Sequence, residues 1–197
     1  MELDNRLKKV SMNLSKILRH QAINRNLYID NGGWVKIQDI LKCNEFKDIS
    51  IDDLNYIVEN NNKKRFSIKW DNEISYIRAN QGHSINTIKE DELLEEITDI
   101  SYINNIVHST FRKNFKLIKE SGLCKMKRNH IHFAKTKNVS SGIRKNAEVY
   151  IYIDVTNAMK DGIKFYESSN GVILSPGKNG IISQKYFSKV EFENFKN

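Results

Sequence analysis

The apolar residues of the first forty positions change from helix-type to strand-type spacing. In RLKKVSMNLSKILRHQ they recur every three or four residues, which predicts an amphipathic helix over residues 6–21. Arg19 and His20, two basic side chains, lie in its last turn. The next apolar block, WVKIQDILKC, predicts a strand that turns into a short helix over residues 34–43.

Residues 52–79 predict a second helix followed by a hairpin. The segment DDLNYIVENN places Leu54, Ile57 and Val58 on one helical face. RFSIKW and ISYIRA then alternate between apolar and polar residues on either side of a polar turn, which predicts two paired strands. Helix, helix and terminal hairpin is the winged-helix pattern, a frequent nucleic-acid-binding architecture, so we assign residues 1–90 to such a lobe.

Beyond this lobe the pattern changes to short strands. KEDELLEEITD is acidic with one apolar face, and we expect residues 91–101 to be a connector. FRKNFKLIKESGL predicts one helix, which Gly122 closes. NIVHST, HIHFA, VYIYIDV, IKFYES and GVILS predict strands between turns rich in Ser, Gly and Asn. We therefore expect residues 102–197 to form a mainly antiparallel second lobe, which makes the protein α+β.

The composition is that of a folded protein of the cytoplasm. Hydrophobic residues make up 39% of the 197 residues and charged residues 28%, and the N-terminus lacks the apolar core of a secretory signal. The two cysteines, Cys43 and Cys124, lie far apart and match no metal-binding or disulfide spacing. No coiled-coil or exposed apolar pattern demands a partner subunit, so we expect a cytoplasmic monomer.

The positive charge is concentrated in the second half of the chain. The formal net charge is +8, and residues 102–197 carry 17 Lys and Arg against 7 Asp and Glu. Residues 1–90 carry 15 against 12, and residues 91–101 carry none against 5. An excess of this size suggests a polyanionic partner such as nucleic acid, through neutralisation of its phosphates. Solubility and a Lys-rich composition explain the same charge equally well.

Histidines and arginines near the ends of the predicted elements are the candidate functional side chains. Three arginines, Arg19, Arg78 and Arg144, lie beside histidine or serine motifs, where a guanidinium can grip phosphate with two hydrogen bonds. His130 and His132 share a strand face, but no Asp, Glu or Cys flanks them, so we expect no metal. Neither GxGxxG nor GxxxxGK[ST] is present, which disfavours Rossmann and P-loop nucleotide sites.

Eight blocks of sequence match a known family in the same order over nearly the whole chain. They are LSKILRH, NGGWVKIQDIL, KKRFSI, IRANQGHS, VHSTF, GLCKM with RNHIHFA, GIRKNAEVYIYIDV and FYESSNGVILSPG. The chain thereby resembles the NAD-dependent RNA 2′-phosphotransferases, which remove a 2′-phosphate left by tRNA splicing. The resemblance implies an N-terminal winged-helix lobe for RNA and a C-terminal ADP-ribosyltransferase-like lobe for NAD, without a metal.

The resemblance also assigns roles to individual residues. The family's catalytic set falls on Arg19, His20, Arg78 and Arg144. The residues that the resemblance assigns to RNA binding are Arg19, Arg78, Gln81, His83 and Arg144. Those that it assigns to NAD are His108, Ser109, Thr110, His132, Ser141, Asn170 and Gly171.

At one NAD-binding position the chain departs from the family pattern. The motif that is usually His-Gly-Thr reads His108, Ser109 and Thr110. Serine keeps the backbone N–H and C=O that hold the nicotinamide amide, but we expect its side chain to crowd that pocket.

The implied reaction transfers an internal RNA 2′-phosphate to the ADP-ribose part of NAD. Its products are RNA with a free 2′-hydroxyl, ADP-ribose 1″,2″-cyclic phosphate and nicotinamide, by way of RNA whose 2′-phosphate is ADP-ribosylated. Two alternatives stay open. One is an ADP-ribosyltransferase that modifies nucleic-acid phosphate ends and stops there, and the other is a non-catalytic winged-helix protein that binds nucleic acid.

Overall fold

The chain divides into two compact units, which we describe separately. The computed structural model describes residues 4–89, 93–101, 103 and 105–193. The units are Met1–Leu93 and Leu94–Asn197. The first combines helices with one small sheet, and the second consists mainly of antiparallel sheets, which confirms the α+β class.

The first unit contains the helices and the hairpin that the apolar spacing predicts. Its helices are α1 (Asn5–Lys16), α2 (Ile37–Leu41) and α3 (Ile51–Glu59), and its strands are β1 (Val35–Lys36), β2 (Phe66–Asp71) and β3 (Ile74–Ala79). The side chains of Asp4 and Ser50 cap α1 and α3 by accepting hydrogen bonds from backbone N–H groups in the first turn. At α3 the Asp53 carboxylate in turn accepts a hydrogen bond from the Ser50 N–H, which completes a capping box.

One face of the first sheet packs on the helices, and the other carries polar side chains. The strand order is β1–β3–β2, and both pairs are antiparallel. Val35, Ile77 and Ile68 lie side by side in the register and point into the core formed with Leu14 and Leu54. Because successive side chains of a strand alternate between faces, the opposite face carries other residues. We call this the outer face; it is formed by Trp34, Lys36, Ser67, Lys69, Tyr76 and Arg78.

The second unit is built from short antiparallel strands and two helices. Its strands are β4 (Leu94–Glu96), β5 (Val107–Thr110), β6 (Leu123–Cys124), β7 (Ile131–Phe133), β8 (Val149–Ile153), β9 (Tyr166–Ser168), β10 (Ile173–Ser175), β11 (Ile181–Ile182) and β12 (Phe187–Phe192). Its helices are α4 (Arg112–Ser121) and α5 (Val155–Lys160). The sheets have the orders β4–β9–β10–β7, β12–β8–β5 and β11–β6.

Two of these sheets meet where β5 passes β7. Val107 and Ala134 exchange two backbone hydrogen bonds of 2.9 Å each, which joins β5 to the chain directly after β7. The apolar side chains of both sheets, including Phe133, Ile151 and Phe165, pack into one core. These two hydrogen bonds hold the residues that follow Val107 on β5 next to the residues of β7.

The acidic segment is not a separate connector in the part that the structure describes. Leu94–Glu96 forms the edge strand β4, which pairs antiparallel with Tyr166–Ser168. Leu94 and Ile97 are buried, and the Ile97 N–H donates to the Phe165 carbonyl. Burial of these apolar side chains makes 94–101 part of the second unit, whereas residues 90–92 lie outside the described residues.

Helix α5 was not predicted, because VYIYIDV reads as one continuous strand. The strand ends at Ile153, and Asp154 caps the new helix by accepting a hydrogen bond from the Asn157 N–H. An Asp directly before a helix is a usual N-cap, so the signal was present but short. Among the described residues, no helix combines the length and the apolar character that crossing a bilayer requires.

Gly122 allows α4 to turn closely past β11, and its replacement tests that packing. Its φ of 82° and ψ of 179° are nearly exclusive to glycine, and an added Cβ would lie 2.6 Å from the Ile182 carbonyl oxygen. We expect Gly122→Ala to lower the free energy of unfolding by about 2 to 4 kcal/mol, from backbone strain and the steric clash.

Gly162→Ala is the matched control for this prediction. Gly162 also has a positive φ, +83°, but no atom lies within 4 Å of its added Cβ. We expect a cost of about 1 kcal/mol there. Both tryptophans lie in the first unit, so denaturation should be followed by circular dichroism. Equal losses of stability in the two variants would contradict the assigned clash.

Candidate active site

Arg19 and His20 lie on a π-helical turn that continues α1. The turn covers Ile17–Gln21, and Ile17 and Leu18 stay buried in the core while Arg19 is half-buried and His20 is exposed. A π turn widens the helix by one residue, and such turns are frequent at functional sites. The turn thereby presents two successive basic side chains near one end of the unit.

The segment after β3 packs against this π turn through Ser84. The Ser84 N–H donates to the Arg19 carbonyl at 2.9 Å, and the Ser84 hydroxyl shares a hydrogen bond of 2.9 Å with His20 Nδ1. These two bonds connect residues 64 positions apart in the chain. They orient the His20 ring and leave its Nε2 atom as the other polar position of the imidazole.

Gly82 brings the same segment against the Arg19 side chain. Its φ is +87°, and an added Cβ would lie 3.5 Å from Cδ, Nε and Cζ of Arg19. The Nε and Nη2 atoms of Arg19 are buried. The guanidinium of Arg19 is therefore held against backbone rather than extended into solvent.

Arg78 is the second-last residue of β3 and leads directly into this segment. It lies on the outer face, and its Nη1 donates to the Gly32 carbonyl at 3.4 Å. Its Cζ lies 4.5 Å from the centroid of the Trp34 ring. A carbonyl and an aromatic ring orient a guanidinium without removing its charge, so this arrangement suits an anion-binding arginine.

His83 supports the segment from inside the unit. Only 1% of its surface is exposed, and an added Cβ at Gly33 would lie 3.5 Å from its Nε2 atom. His83 is therefore buried in this structure, and its assignment to RNA stays a prediction. Gln81 remains half-buried and within the same segment.

The three predicted catalytic residues of the first unit lie on or against one segment, residues 78–84. Arg19 and His20 contact Gly82 and Ser84, and Arg78 begins the segment that contains both. Asn80 closes the strand end by donating to the Lys64 carbonyl and accepting from the Ser67 hydroxyl. Residues 78–84 are thus the element on which this basic cluster is built.

The second unit holds its own cluster around His108 on β5. His108 Nδ1 shares a hydrogen bond of 2.9 Å with the His132 carbonyl, which lies on β7. Burial lowers the pKa of His108, and the positive charges of Arg144 and Arg128 lower that pKa further. His108 is therefore neutral at neutral pH, with Nδ1 as the hydrogen-bond donor to the carbonyl.

Ser109 holds the loop that carries Arg144. The Arg144 N–H donates to the Ser109 hydroxyl at 2.7 Å, and Ser109 is 4% exposed. The Ser109 side chain is therefore engaged in fixing this loop. The Arg144 guanidinium is exposed, with its Cζ 5.4 Å from the Phe111 ring centroid.

Gly142 allows the same loop to approach β7. An added Cβ would lie 2.9 Å from the Phe133 carbonyl oxygen, and its φ of +81° also favours glycine. The close approach places Ser141 next to the end of β7. It also explains why SSGIR, rather than a bulkier sequence, precedes Arg144.

Arg128 is a cation of this cluster that sequence reasoning missed. Although Arg128 is exposed at the surface, partial desolvation and the positive charge of Arg144 lower its pKa, and Arg128 in turn lowers the pKa of His108. Mutual effects of this kind require the three groups to be close together. The available signal was its position two residues before His130, in the block RNHIHFA.

The remaining predicted NAD-binding residues lie at the end of β5 and in the turn between β9 and β10. Thr110 ends β5 and is 2% exposed, with its hydroxyl accepting a 3.4 Å bond from the Asn114 side chain. Asn170 and Gly171 form the turn between β9 and β10, where the Ser168 hydroxyl donates to the Asn170 side-chain oxygen. Because Ile173 pairs with Phe133, this turn lies at the same end of the sheet as Ala134.

His130 and His132 lie on one strand face, as the spacing predicts. His130 is buried with its ring 5.9 Å from the Tyr166 ring, and burial with the nearby Lys125 lowers its pKa to about 4. Among the described residues, no cluster of three or more His, Cys, Asp or Glu side chains has the arrangement of a metal site. His130 therefore packs as a neutral aromatic ring.

These two clusters of arginine and histidine on an α+β frame are typical of a protein that binds phosphate-bearing ligands. The model of the RNA 2′-phosphotransferase, Tpt1 / KptA family matches residues 5–177. The chain belongs to this family.

Individual relatives agree with the family match. A Schizosaccharomyces pombe protein is 44% identical over 191 residues, which cover 95% of this chain and 52% of that protein, so the chain spans about half of its length. The tRNA 2′-phosphotransferase 1 of Danio rerio is 38% identical over 93% of this chain and 84% of its own. The tRNA 2′-phosphotransferase of Saccharomyces cerevisiae is 36% identical over 89% and 81%.

Replacement of Ser109 tests its hold on the Arg144 loop. Ser109→Ala removes the hydroxyl that accepts from the Arg144 N–H, so we expect that amide to exchange with solvent about tenfold faster. The measurement is amide hydrogen exchange by NMR. Ser121→Ala, which removes a hydroxyl bonded to the Leu117 carbonyl on α4, should leave the Arg144 amide unchanged. An unchanged Arg144 amide in Ser109→Ala would contradict the assigned bond.

Proposed function

We propose that the protein removes an internal RNA 2′-phosphate by transferring it to the ADP-ribose part of NAD. The products are RNA with a free 2′-hydroxyl, ADP-ribose 1″,2″-cyclic phosphate and nicotinamide. The observation that carries this proposal is the packing of Arg19 and His20 against Gly82 and Ser84, in the segment that begins with Arg78, together with membership of the family. tRNA that carries a 2′-phosphate is the substrate that the names of the relatives suggest.

The first unit is assigned to RNA and the second to NAD. The helix, helix and hairpin order of the first unit supports a winged-helix lobe, and the antiparallel strands of the second support an ADP-ribosyltransferase-like lobe. The basic cluster of the first unit suits a phosphate monoester, because guanidinium groups match phosphate oxygens with two parallel hydrogen bonds.

The second cluster fits the chemistry of a dinucleotide. Arg128 provides positive charge for a pyrophosphate, and its charge also helps to lower the pKa of His108. A neutral His108 and the backbone groups beside Ser109 suit hydrogen bonds to uncharged parts of NAD, such as its ribose or amide. Thr110, His132, Ser141, Asn170 and Gly171 complete the assigned set around them.

NAD supplies the ribose carbon that accepts the phosphate, a neighbouring hydroxyl, and nicotinamide as leaving group. An oxygen of the RNA 2′-phosphate attacks C1″, and the bond from C1″ to the nicotinamide nitrogen breaks with its electron pair leaving on nicotinamide. The second pKa of a phosphate monoester is about 6, so this nucleophile is already anionic at neutral pH. The protein therefore needs no general base for this step.

The second step requires a proton to move. The 2″-hydroxyl attacks phosphorus, and the bond from phosphorus to the RNA 2′-oxygen breaks. One proton leaves the attacking hydroxyl and one is gained by the RNA oxygen, so the protons balance. His20 is the side chain assigned to this transfer, since imidazole titrates near neutral pH and Ser84 orients its ring.

Arg19, Arg78 and Arg144 are assigned to the negative charge on the phosphate. Catalysis of phosphoryl transfer depends mainly on positioning and charge stabilisation, and each charge-assisted hydrogen bond contributes roughly 1.5 to 3 kcal/mol. Arg19 and Arg78 are already held by backbone and ring contacts before substrate binds. Such preorganisation lowers the entropic cost of forming those bonds.

Incubation with NAD and a synthetic RNA bearing one internal 2′-phosphate tests the whole proposal. Mass spectrometry should detect nicotinamide, dephosphorylated RNA and the cyclic phosphate. Accumulation of ADP-ribosylated RNA without cyclic phosphate would favour the transferase that stops after the first step. RNA binding without any nicotinamide release would favour the non-catalytic winged-helix protein.

Arg78→Ala tests the phosphate assignment in the first unit. We expect turnover to fall by at least about a hundredfold, because the guanidinium stabilises phosphate charge in the transition state. Arg6→Ala is the matched control, since Arg6 is an exposed arginine on α1 of the same unit, and it should stay within about twofold of the wild type. Near-wild-type turnover of a folded Arg78→Ala variant would remove Arg78 from the site.

His20→Ala tests the proton-transfer assignment. We expect the second step to slow by about a hundredfold and the first to change much less, so that ADP-ribosylated RNA accumulates during a time course. Ser84→Ala leaves the imidazole but removes its 2.9 Å partner, and should shift the balance in the same direction by less. Equal slowing of both steps in His20→Ala would assign His20 to phosphate binding instead.

A further inference from the structure

We propose that the outer face of the β1–β3–β2 sheet binds the single-stranded RNA that flanks the 2′-phosphate. The inference rests on the proposed function, because it extends the substrate from the reacting phosphate to its neighbouring nucleotides. Arg78 lies on this face and connects it to the basic cluster. Apart from Trp34, which orients Arg78, the other side chains of the face have no role in the reaction described above.

The strand register sorts the outer face into two rows. Lys36, Tyr76 and Lys69 lie side by side across the three strands in one row. Arg78 and Ser67 are paired in the next row, where Trp34 packs against Arg78. Neighbouring strands are about 4.8 Å apart, so each row extends about 10 Å from β1 to β2.

Aromatic rings alternate with cations on this face. Lys69 Nζ lies 4.6 Å from the Trp34 ring centroid and 5.5 Å from that of Tyr76. Arg78 Cζ lies 4.5 Å from the Trp34 centroid. The order Tyr76, Lys69, Trp34, Arg78 is therefore a continuous ladder in which every ring contacts a cation.

The outer face is accessible, and the acidic side chains of the hairpin lie near its turn. Lys36 and Lys69 are exposed, and Trp34, Tyr76 and Arg78 are half-buried. The acidic residues of the hairpin, Asp71 and Glu73, lie at or beside its turn, at the opposite end from Arg78. An anionic chain that binds here is therefore attracted toward the end that carries Arg78.

This combination fits single-stranded RNA better than other anionic ligands. Unstacked bases stack on exposed aromatic rings, while nearby cations neutralise the phosphates, and this mode of binding tolerates any sequence. Base-paired RNA offers stacked bases that these rings do not reach. An acidic peptide would use the lysines but leave the two rings without a function.

Binding can be measured separately from catalysis. The probe is a fluorescein-labelled twelve-nucleotide single-stranded RNA without a 2′-phosphate, titrated with the full chain in the absence of NAD and followed by fluorescence anisotropy. The test variants are Tyr76→Ala and the double variant Lys36→Gln with Lys69→Gln. Trp34 is left unchanged because it also holds Arg78.

Each variant has a distinct expected effect. The double lysine variant should weaken binding and reduce the slope of log K against log salt by about 1.4, since each lost phosphate contact removes about 0.7 for a single strand. Tyr76→Ala should raise Kd about tenfold with little change of that slope, because it removes stacking rather than charge. Tyr76→Phe keeps the ring and should bind as the wild type does.

Matched controls separate the face from a general loss of charge or aromatic surface. Lys9→Gln removes an exposed lysine on α1, and Trp70→Ala removes an exposed tryptophan of the same hairpin that alternation places on the opposite face. Both should bind as the wild type does. Equal losses in these controls, or unchanged binding in both test variants, would overturn the proposal.

The outcomes also separate this surface from the proposed reaction. RNA binding that depends on Tyr76 and Lys69, without nicotinamide release from NAD and 2′-phosphorylated RNA, would reject the reaction and keep the surface. Nicotinamide release, together with RNA binding that does not change when Tyr76 or Lys69 is replaced, would keep the reaction and reject the surface. Equally strong competition by duplex RNA or by an acidic peptide would show that single-stranded RNA is the wrong occupant.

Discussion

The packing of residues 78–84 on the π-helical turn is the interaction on which the first unit's site depends. Arg19 and His20 lie on the turn, but their side chains are positioned by Gly82 and Ser84. These two residues follow the β2–β3 hairpin and are far from the turn in sequence. A π turn costs regular helical hydrogen bonds, so it persists where tertiary contacts stabilise it. Here the Ser84 N–H satisfies the Arg19 carbonyl, and one element thereby supports all three basic side chains.

Desolvation has the corresponding role in the second unit. His108 lies where β5 and β7 are joined, and its burial next to Arg128 and Arg144 favours the neutral imidazole. The Ser109 hydroxyl holds the Arg144 loop by accepting a hydrogen bond from the Arg144 N–H. The charged clusters of the two units therefore differ. The first unit holds oriented cations, and the second combines cations with a neutral histidine.

Sequence patterns predicted the elements well where apolar periodicity was long. Helix α1, the β2–β3 hairpin and helix α4 appear where spacing predicts them. The patterns failed where a short segment takes its structure from a distant partner. Leu94–Glu96 becomes a strand only because Tyr166–Ser168 offers it an edge, and the six-residue helix α5 is too short to show a helical period.

The sequence by itself indicated the family, the α+β class and four candidate catalytic residues, because ordered motifs and periodicity are local properties of the chain. These candidates are Arg19, His20, Arg78 and Arg144. Only the tertiary structure decided which polar side chains are exposed and which are buried or close to other charges. It buried His83 and placed Arg128 where its charge acts on His108 and Arg144. Burial and the distance between charges depend on contacts between remote segments, and these contacts leave no spacing signal in the chain.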